Sequence, residues 1–229
     1  MSFKWRRPTR FLLIAACILI AHMPMTLTAS AAGPIRLVGL GDSLMAGYQL
    51  PPGDDFASML EAALRKKGHD VSVANAGVSG DTTSDGLARL DWSVPEGTDG
   101  VILELGANDA LRGIDPGTTE ANLDAIIARL KARGIAVLLC GMLAPPNMGA
   151  DYQQAFDAIY PRLSQKYGVL FYPFFLDGVA TKSRLLLADG MHPNVQGVAA
   201  IVAGFLPSAE ALIRKATAGT PRPGGSGKG

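Results

Sequence analysis

The chain has 229 residues, with 21 Lys and Arg against 20 Asp and Glu and a formal net charge of +1. Four of the basic residues, Lys4, Arg6, Arg7 and Arg10, fall in the first ten positions, and without residues 1–31 the net charge becomes −3. That balance argues against a nucleic-acid partner. Loss of the same stretch leaves Cys140 as the one cysteine, so no intrachain disulfide is expected.

The opening MSFKWRRPTR carries no acid, and an apolar run from Phe11 to about Met25 follows it. The run is shorter than a membrane span and ends in the small residues Ala29-Ser30-Ala31-Ala32, so residues 1–31 read as a secretory signal peptide cleaved after about Ala31. The mature chain is then expected in the periplasm or outside the cell, without stable membrane insertion. Ile14-Ala15-Ala16-Cys17 resembles a lipobox that would leave a lipidated Cys17, but only Phe11, Leu12 and Leu13 precede it as apolar core. At the other end, residues 216–229 are rich in Gly, Pro and small polar residues and read as a disordered tail. Residues 32–215 remain, enough for one domain with a substantial core.

Ile35-Arg36-Leu37-Val38-Gly39-Leu40 reads as a buried strand that runs into the small, polar turn Gly41-Asp42-Ser43-Leu44. Ser43 there either caps a helix or projects its hydroxyl from the strand end, and this stretch alone admits both. Phe56, Met59, Leu60, Ala63 and Leu64 recur at helical spacing up to Gly68, a C-terminal cap. Val71–Ala74 is a second strand, and Asn75–Thr83, with Gly80 in its middle, a loop of turn formers. The third strand, Val101–Leu105, ends on Gly106-Ala107-Asn108-Asp109. Leu123, Ile126, Ile127 and Leu130 mark a helix that Gly134 stops, and Ile135–Cys140 is the fourth strand, with Cys140 in the core.

From about Asp151 to Tyr167, Tyr152, Phe156, Ile159 and Leu163 share one face of a helix kinked at Pro161. Val169–Phe171 is the fifth strand. The last helix follows Asp189-Gly190-Met191-His192-Pro193-Asn194, with Asn194 as N-cap and Val195, Val198, Ala199, Val202 and Leu206 on its inner face. Short apolar strands alternating with amphipathic helices predict a parallel sheet covered on both faces.

The chain has three histidines, His22, His69 and His192. His22 leaves with the leader, and His69 sits at a helix end, where a solvated, dipole-complementing role is sufficient. His192 is the remaining candidate for a base near neutral pH. Asp189, three residues earlier, can receive its Nδ1–H while the other nitrogen faces Ser43, whose hydroxyl is a poor nucleophile unaided. The backbone N–H groups of Ser43 and Gly80 and the side-chain amide of Asn108 are candidate oxyanion donors at three strand ends.

These blocks resemble those of the SGNH hydrolases of the GDSL family, closest to the secreted arylesterase and thioesterase/lysophospholipase branch. Gly41-Asp42-Ser43-Leu44 is similar to the nucleophile block, Ser79-Gly80-Asp81-Thr82 to the glycine block, Gly106-Ala107-Asn108-Asp109 to the asparagine block and Asp189–Pro193 to the acid-base block. Ala107 replaces a frequent second glycine, and Met191 a more usual Ile or Val. The resemblance implies a three-layer α/β/α, flavodoxin-like fold with a five-stranded parallel sheet. It also implies Ser43 as nucleophile, Asp189 and His192 as its activators, and an oxyanion hole of Ser43, Gly80 and Asn108, with no metal or cofactor.

The expected reaction is acyl transfer to water from a small-molecule ester or thioester. A carbohydrate O-deacetylase on the same fold is the alternative, and it would need a small acyl pocket and a polar groove. The segments Met142–Met148, Phe174–Leu176 and Leu185–Leu187 are instead apolar, which favours acyl or aryl groups. A silent binding protein would lack a reacting residue, and none is missing. No phosphate-binding glycine motif follows any strand.

Overall fold

In the computed structural model, residues 1–2 and 33–219 are described. Residues 3–31 of the expected signal peptide, Cys17 among them, and positions 220–229 of the expected tail lie outside the described residues, and every strand and helix among the described residues belongs to the compact unit Ala31–Gly229.

β1 (Ile35–Gly41) leads through the one-turn α1 (Ser43–Ala46) and α2 (Phe56–Lys66) to β2 (Val71–Gly77). After α3 (Thr83–Ala88) and α4 (Leu90–Ser93) come β3 (Gly100–Glu104), α5 (Ala107–Leu111) and α6 (Pro116–Ala132). Next in the chain are β4 (Ala136–Cys140), α7 (Ala150–Asp157), α8 (Ile159–Tyr167), β5 (Leu170–Tyr172) and α9 (Val195–Gly219). All five strands are parallel, in the order β2-β1-β3-β4-β5. α2 and α9 pack together on one face, while α3, α6 and α8 cover the other. This is the expected three-layer α/β/α architecture, and every residue of β3 is buried between the helical layers.

The order reverses direction between β1 and β3, and in open parallel sheets the crevice outside the carboxyl ends at such a switch point is where ligands bind. The turns after β1, β2 and β3 therefore meet at one edge. α1 can lie directly on the end of β2 because residue 77 is glycine. A Cβ there would stand 2.3 Å from the Ala46 backbone nitrogen, closer than any packing tolerates.

Four local expectations are corrected. β2 runs on to Gly77 because Asn75, a turn former by composition, has its amide occupied. Its Nδ2 donates to Met45 O at 2.9 Å and Asp55 Oδ1 at 2.8 Å, while its Oδ1 accepts from Gly77 N at 2.9 Å. The helix expected over 151–167 is two, α7 and α8, broken at Ala158. Pro161 has no N–H for the carbonyl four residues back and its ring crowds it; that residue is Asp157, the last of α7.

The third correction concerns α9, where Val198, Ile201, Val202, Phe205, Ala209 and Leu212 form the buried stripe. Val195 and Ala199, read as inward, are exposed. Fourth, the stripe continues through Ile213 and Ala216, so the helix extends to Gly219 and the tail begins later than position 216. α9 is apolar and long enough to cross a membrane by length and composition, and its apolar stripe is packed against α2 and the sheet.

Candidate active site

Ser43 is the first residue of α1, and the cap of that helix is its neighbour. Asp42 accepts the Leu44 N–H at 3.0 Å, which leaves the Ser43 hydroxyl out of the capping role the sequence allowed it. That hydroxyl lies 2.9 Å from His192 Nε2. His192 Nδ1 is 2.7 Å from Asp189 Oδ2, so the imidazole stands between a carboxylate and a hydroxyl. With the proton on Nδ1, donated to Asp189, the Nε2 lone pair accepts from Ser43 Oγ–H.

The loop that carries this pair is held tightly. Asp189 Oδ1 accepts the backbone N–H groups of Met191 and His192 at 2.9 and 3.0 Å. These two donors, Met191 first, together with the His192 side chain, pull the Asp189 carboxyl down from 3.8 to about 2. The Leu187 N–H donates to His192 O at 2.7 Å. Asn194 caps α9 through Oδ1 to Gly197 N at 3.0 Å, as expected, and its Nδ2 also reaches Arg184 O and Leu186 O.

The three candidate donors follow the ends of β1, β2 and β3. Among the described residues the backbone N–H groups of Ser43 and Gly80 donate to no protein acceptor. Gly80 has φ +90°, a conformation in which a Cβ is strained, and its carbonyl accepts from Arg112 Nη2 at 2.7 Å. Asn108, the second residue of α5, directs its Nδ2 to Asp81 O at 2.9 Å and to Asp42 Oδ2 at 3.2 Å. The amide is thus fixed between the glycine loop and the serine turn, and the contact to Asp42 is the longer of its two.

Two buried acids lie directly behind Ser43. Burial pushes the Asp42 carboxyl up from 3.8 to about 6, against the Leu44 N–H that favours its charged form. Glu104, at the end of β3, is pushed well above the usual carboxylate range, first by burial and then by the charge of Asp42. Its Oε2 accepts the Asp42 N–H at 3.3 Å. His69 lies at the opposite edge, beside the start of β2, with Nε2 3.5 Å from Glu210 Oε1. Among the described residues no three His, Cys, Asp or Glu side chains converge as a metal site requires.

The GDSL-like Lipase/Acylhydrolase family model matches residues 40–200, a span that holds all four blocks. The chain belongs to this family. Among GDSL relatives, the protein named Arylesterase of Vibrio mimicus is 44% identical over 169 residues, covering 73% of this chain and 84% of the relative. Thioesterase 1/protease 1/lysophospholipase L1 of Escherichia coli K12 is 38% identical over 193 residues, covering 84% and 86%. The crystal structure of AlinE4, an SGNH-hydrolase family esterase, shares 42% identity at a TM-score of 0.67, covering 80% of this chain and 98% of that one.

Several residues of this GDSL site have roles that the sequence does not reveal. The Tyr48 ring lies on His192, with centroids 4.5 Å apart and planes at 39°. Asp109, next to Asn108, is buried and accepts from Thr83 N at 2.9 Å, Thr83 Oγ1 at 2.5 Å and Thr119 Oγ1 at 3.2 Å. It ties α5 to the start of α3 and so fixes the loop that carries Gly80. Thr83 and Asp109 stand 26 positions apart, and only their proximity reveals the pair.

Because its folded value lies below its ordinary one, Asp189 contributes stability that is complete above about pH 4 and lost as pH falls towards 2. Melting temperatures of the parent and Asp189→Asn should therefore differ most at pH 5 and converge between pH 4 and 2. A gap that stays constant across that range would contradict the assignment of the depressed value to Asp189.

Proposed function

We propose that this protein is an exported serine esterase that hydrolyses carboxylic esters or thioesters bearing apolar acyl or aryl groups through an acyl-Ser43 intermediate. The observation that carries the reading is the continuous chain of hydrogen bonds Ser43–His192–Asp189 beside two undonated backbone N–H groups. Family membership and the esterase names of the relatives support it.

In this reading His192 Nε2 takes the Ser43 proton as Oγ attacks the acyl carbon, and returns it to the departing alcohol or thiol. Water repeats the sequence on the acyl-serine. Asp189 holds the imidazole with Nδ1 protonated and stabilises the cation that forms. The negative charge on the former carbonyl oxygen meets the N–H groups of Ser43 and Gly80. The Asn108 amide joins them by sharing the hydrogen it directs at Asp42. Donors preset in this way are commonly worth on the order of 10²–10³ in rate each. The chemistry calls for no metal or cofactor.

The apolar preference rests mostly on residues outside the segments the sequence pointed to. Met142, Ala144, Phe175, Leu185 and Leu186 are core, so of those segments Leu143 is the large apolar side chain left exposed. Tyr48, Val78, Leu111, Leu143 and Met191 are large apolar side chains left exposed, and each comes from a loop or short helix at the carboxyl edge that carries Ser43. Large apolar side chains exposed on the loops around a polar centre favour an apolar ligand.

Hydrolysis of p-nitrophenyl esters from acetyl to palmitoyl tests this, with Ser43→Ala as the blank. kcat/KM should rise with chain length beyond acetyl and vanish in the blank; a maximum at acetyl would favour the carbohydrate deacetylase instead. Export is tested separately by sequencing the N-terminus of protein recovered from periplasm and medium. A start at or near Ala32 is expected, and a lipid-modified Cys17 at the terminus would refute the assigned leader.

A further inference from the structure

We propose that Arg89 is a positioning residue that locks the serine turn and the Gly80 loop into one rigid unit, so that the oxyanion donors keep their mutual spacing. The proposal rests on the catalytic reading above. Arg89 closes α3 and opens α4, and its side chain is only 15% exposed, turned inward beneath the site without reaching Ser43.

Its guanidinium makes four hydrogen bonds with four different residues. Nη2 donates to Gly41 O at 2.9 Å, Nη1 to Ala76 O at 2.9 Å and Ser93 Oγ at 2.8 Å, and Nε to Asp81 Oδ2 at 2.5 Å. Four of the five guanidinium N–H groups are therefore used. Gly41 lies two residues before Ser43 and ends β1. Ala76 lies beside it in the ladder, paired with Leu40. Asp81 follows Gly80, and its own carbonyl accepts from Asn108 Nδ2 at 2.9 Å. One planar cation thus grips the backbone that delivers the Ser43 N–H and the residue that joins Gly80 to Asn108.

The carbonyls of Gly41 and Ala76 point out of the sheet where the ladder ends, and a half-buried carbonyl needs a donor. Gly41 O also accepts the Val78 N–H at 3.0 Å, so the glycine loop is pinned to the serine turn both directly and through Arg89. The partner of the Arg89 charge is Asp81, itself only 12% exposed. Lysine cannot replace this arrangement. It offers three donors from a single atom, whereas the guanidinium fork spans acceptors on separate strands.

The test is Arg89→Lys, which keeps the charge and removes the fork. We expect kcat on a soluble aryl ester to fall by roughly 10- to 100-fold with KM within about twofold of the parent, since only the charged intermediate draws fully on the donors. Asp81→Asn, which leaves Nε an acceptor but removes the ion pair, should show the same split with a loss of about 3- to 10-fold. Should Arg89→Lys fail to fold, Asp81→Asn decides alone. Arg89 and Asp81 variants that melt lower yet keep parental kcat would reduce the cluster to a stabilising one and overturn the proposal. Ser43→Ala run alongside separates the two levels: if it is inactive, a parental kcat in the Arg89 and Asp81 variants removes the coupling alone. If Ser43→Ala hydrolyses the ester like the parent, the catalytic reading fails and the proposal goes with it.

Discussion

One hydrogen bond, 2.9 Å from Ser43 Oγ to His192 Nε2, joins residues 149 positions apart, and most of the fold serves to make it. β1 is an interior strand beside β3, where the strand order reverses, so Ser43 emerges at the switch point; the loop before α9 must come from the far end of the chain to meet it. α9 makes that possible by burying one stripe against the sheet and α2. Its N-cap at Asn194 then fixes where the chain turns back, two residues after His192. Weakening either anchor would leave both groups present and out of reach of each other.

The electrostatics behind Ser43 show a second constraint. Two carboxyls, Asp42 and Glu104, are buried side by side, and one oxygen of Glu104, Oε1, has no partner. Both carboxyls cannot be charged cheaply in such a place. Burial and the neighbouring Asp42 charge push Glu104 well above the ordinary carboxylate range, while Asp42 is raised to about 6, so ionisation of the pair falls first on Asp42. Ionised Asp42 receives the Leu44 N–H that begins α1 and faces the Asn108 amide. The same aspartate therefore frees the Ser43 hydroxyl from capping and orients the Asn108 amide, two tasks that one residue performs because the turn is so short.

The sheet was legible in the sequence for a physical reason: a strand covered on both faces must be a nearly unbroken apolar run, and the five runs stand out between polar turns. Strand ends fell within a residue or so of their places, except β2, where Asn75 is a turn former whose amide is consumed by Met45 and Asp55. Site residues with distinctive chemistry were also legible, because a chain with one useful histidine leaves little choice. What stayed hidden depends on proximity alone. Arg89 reads as a surface charge until the carbonyls of Gly41 and Ala76 and the carboxylate of Asp81 are seen around it. Tyr48 is an ordinary loop residue until its ring meets His192. The apolar segments around Met142 and Phe175 divide, with Met142, Ala144 and Phe175 in the core and Leu143 exposed, since a hydrophobic stretch is as easily core as binding surface.

Catalysis as proposed depends most on Ser43 being the nucleophile and on His192 activating it through that bond. Reaction with a p-nitrophenyl alkylphosphonate, monitored by nitrophenolate release, intact mass and peptide mapping, examines both at once. One covalent phosphonyl group per chain is predicted, located on the peptide that contains Ser43, with labelling far slower in His192→Ala. A label on another residue, or an undiminished labelling rate without His192, would contradict these roles.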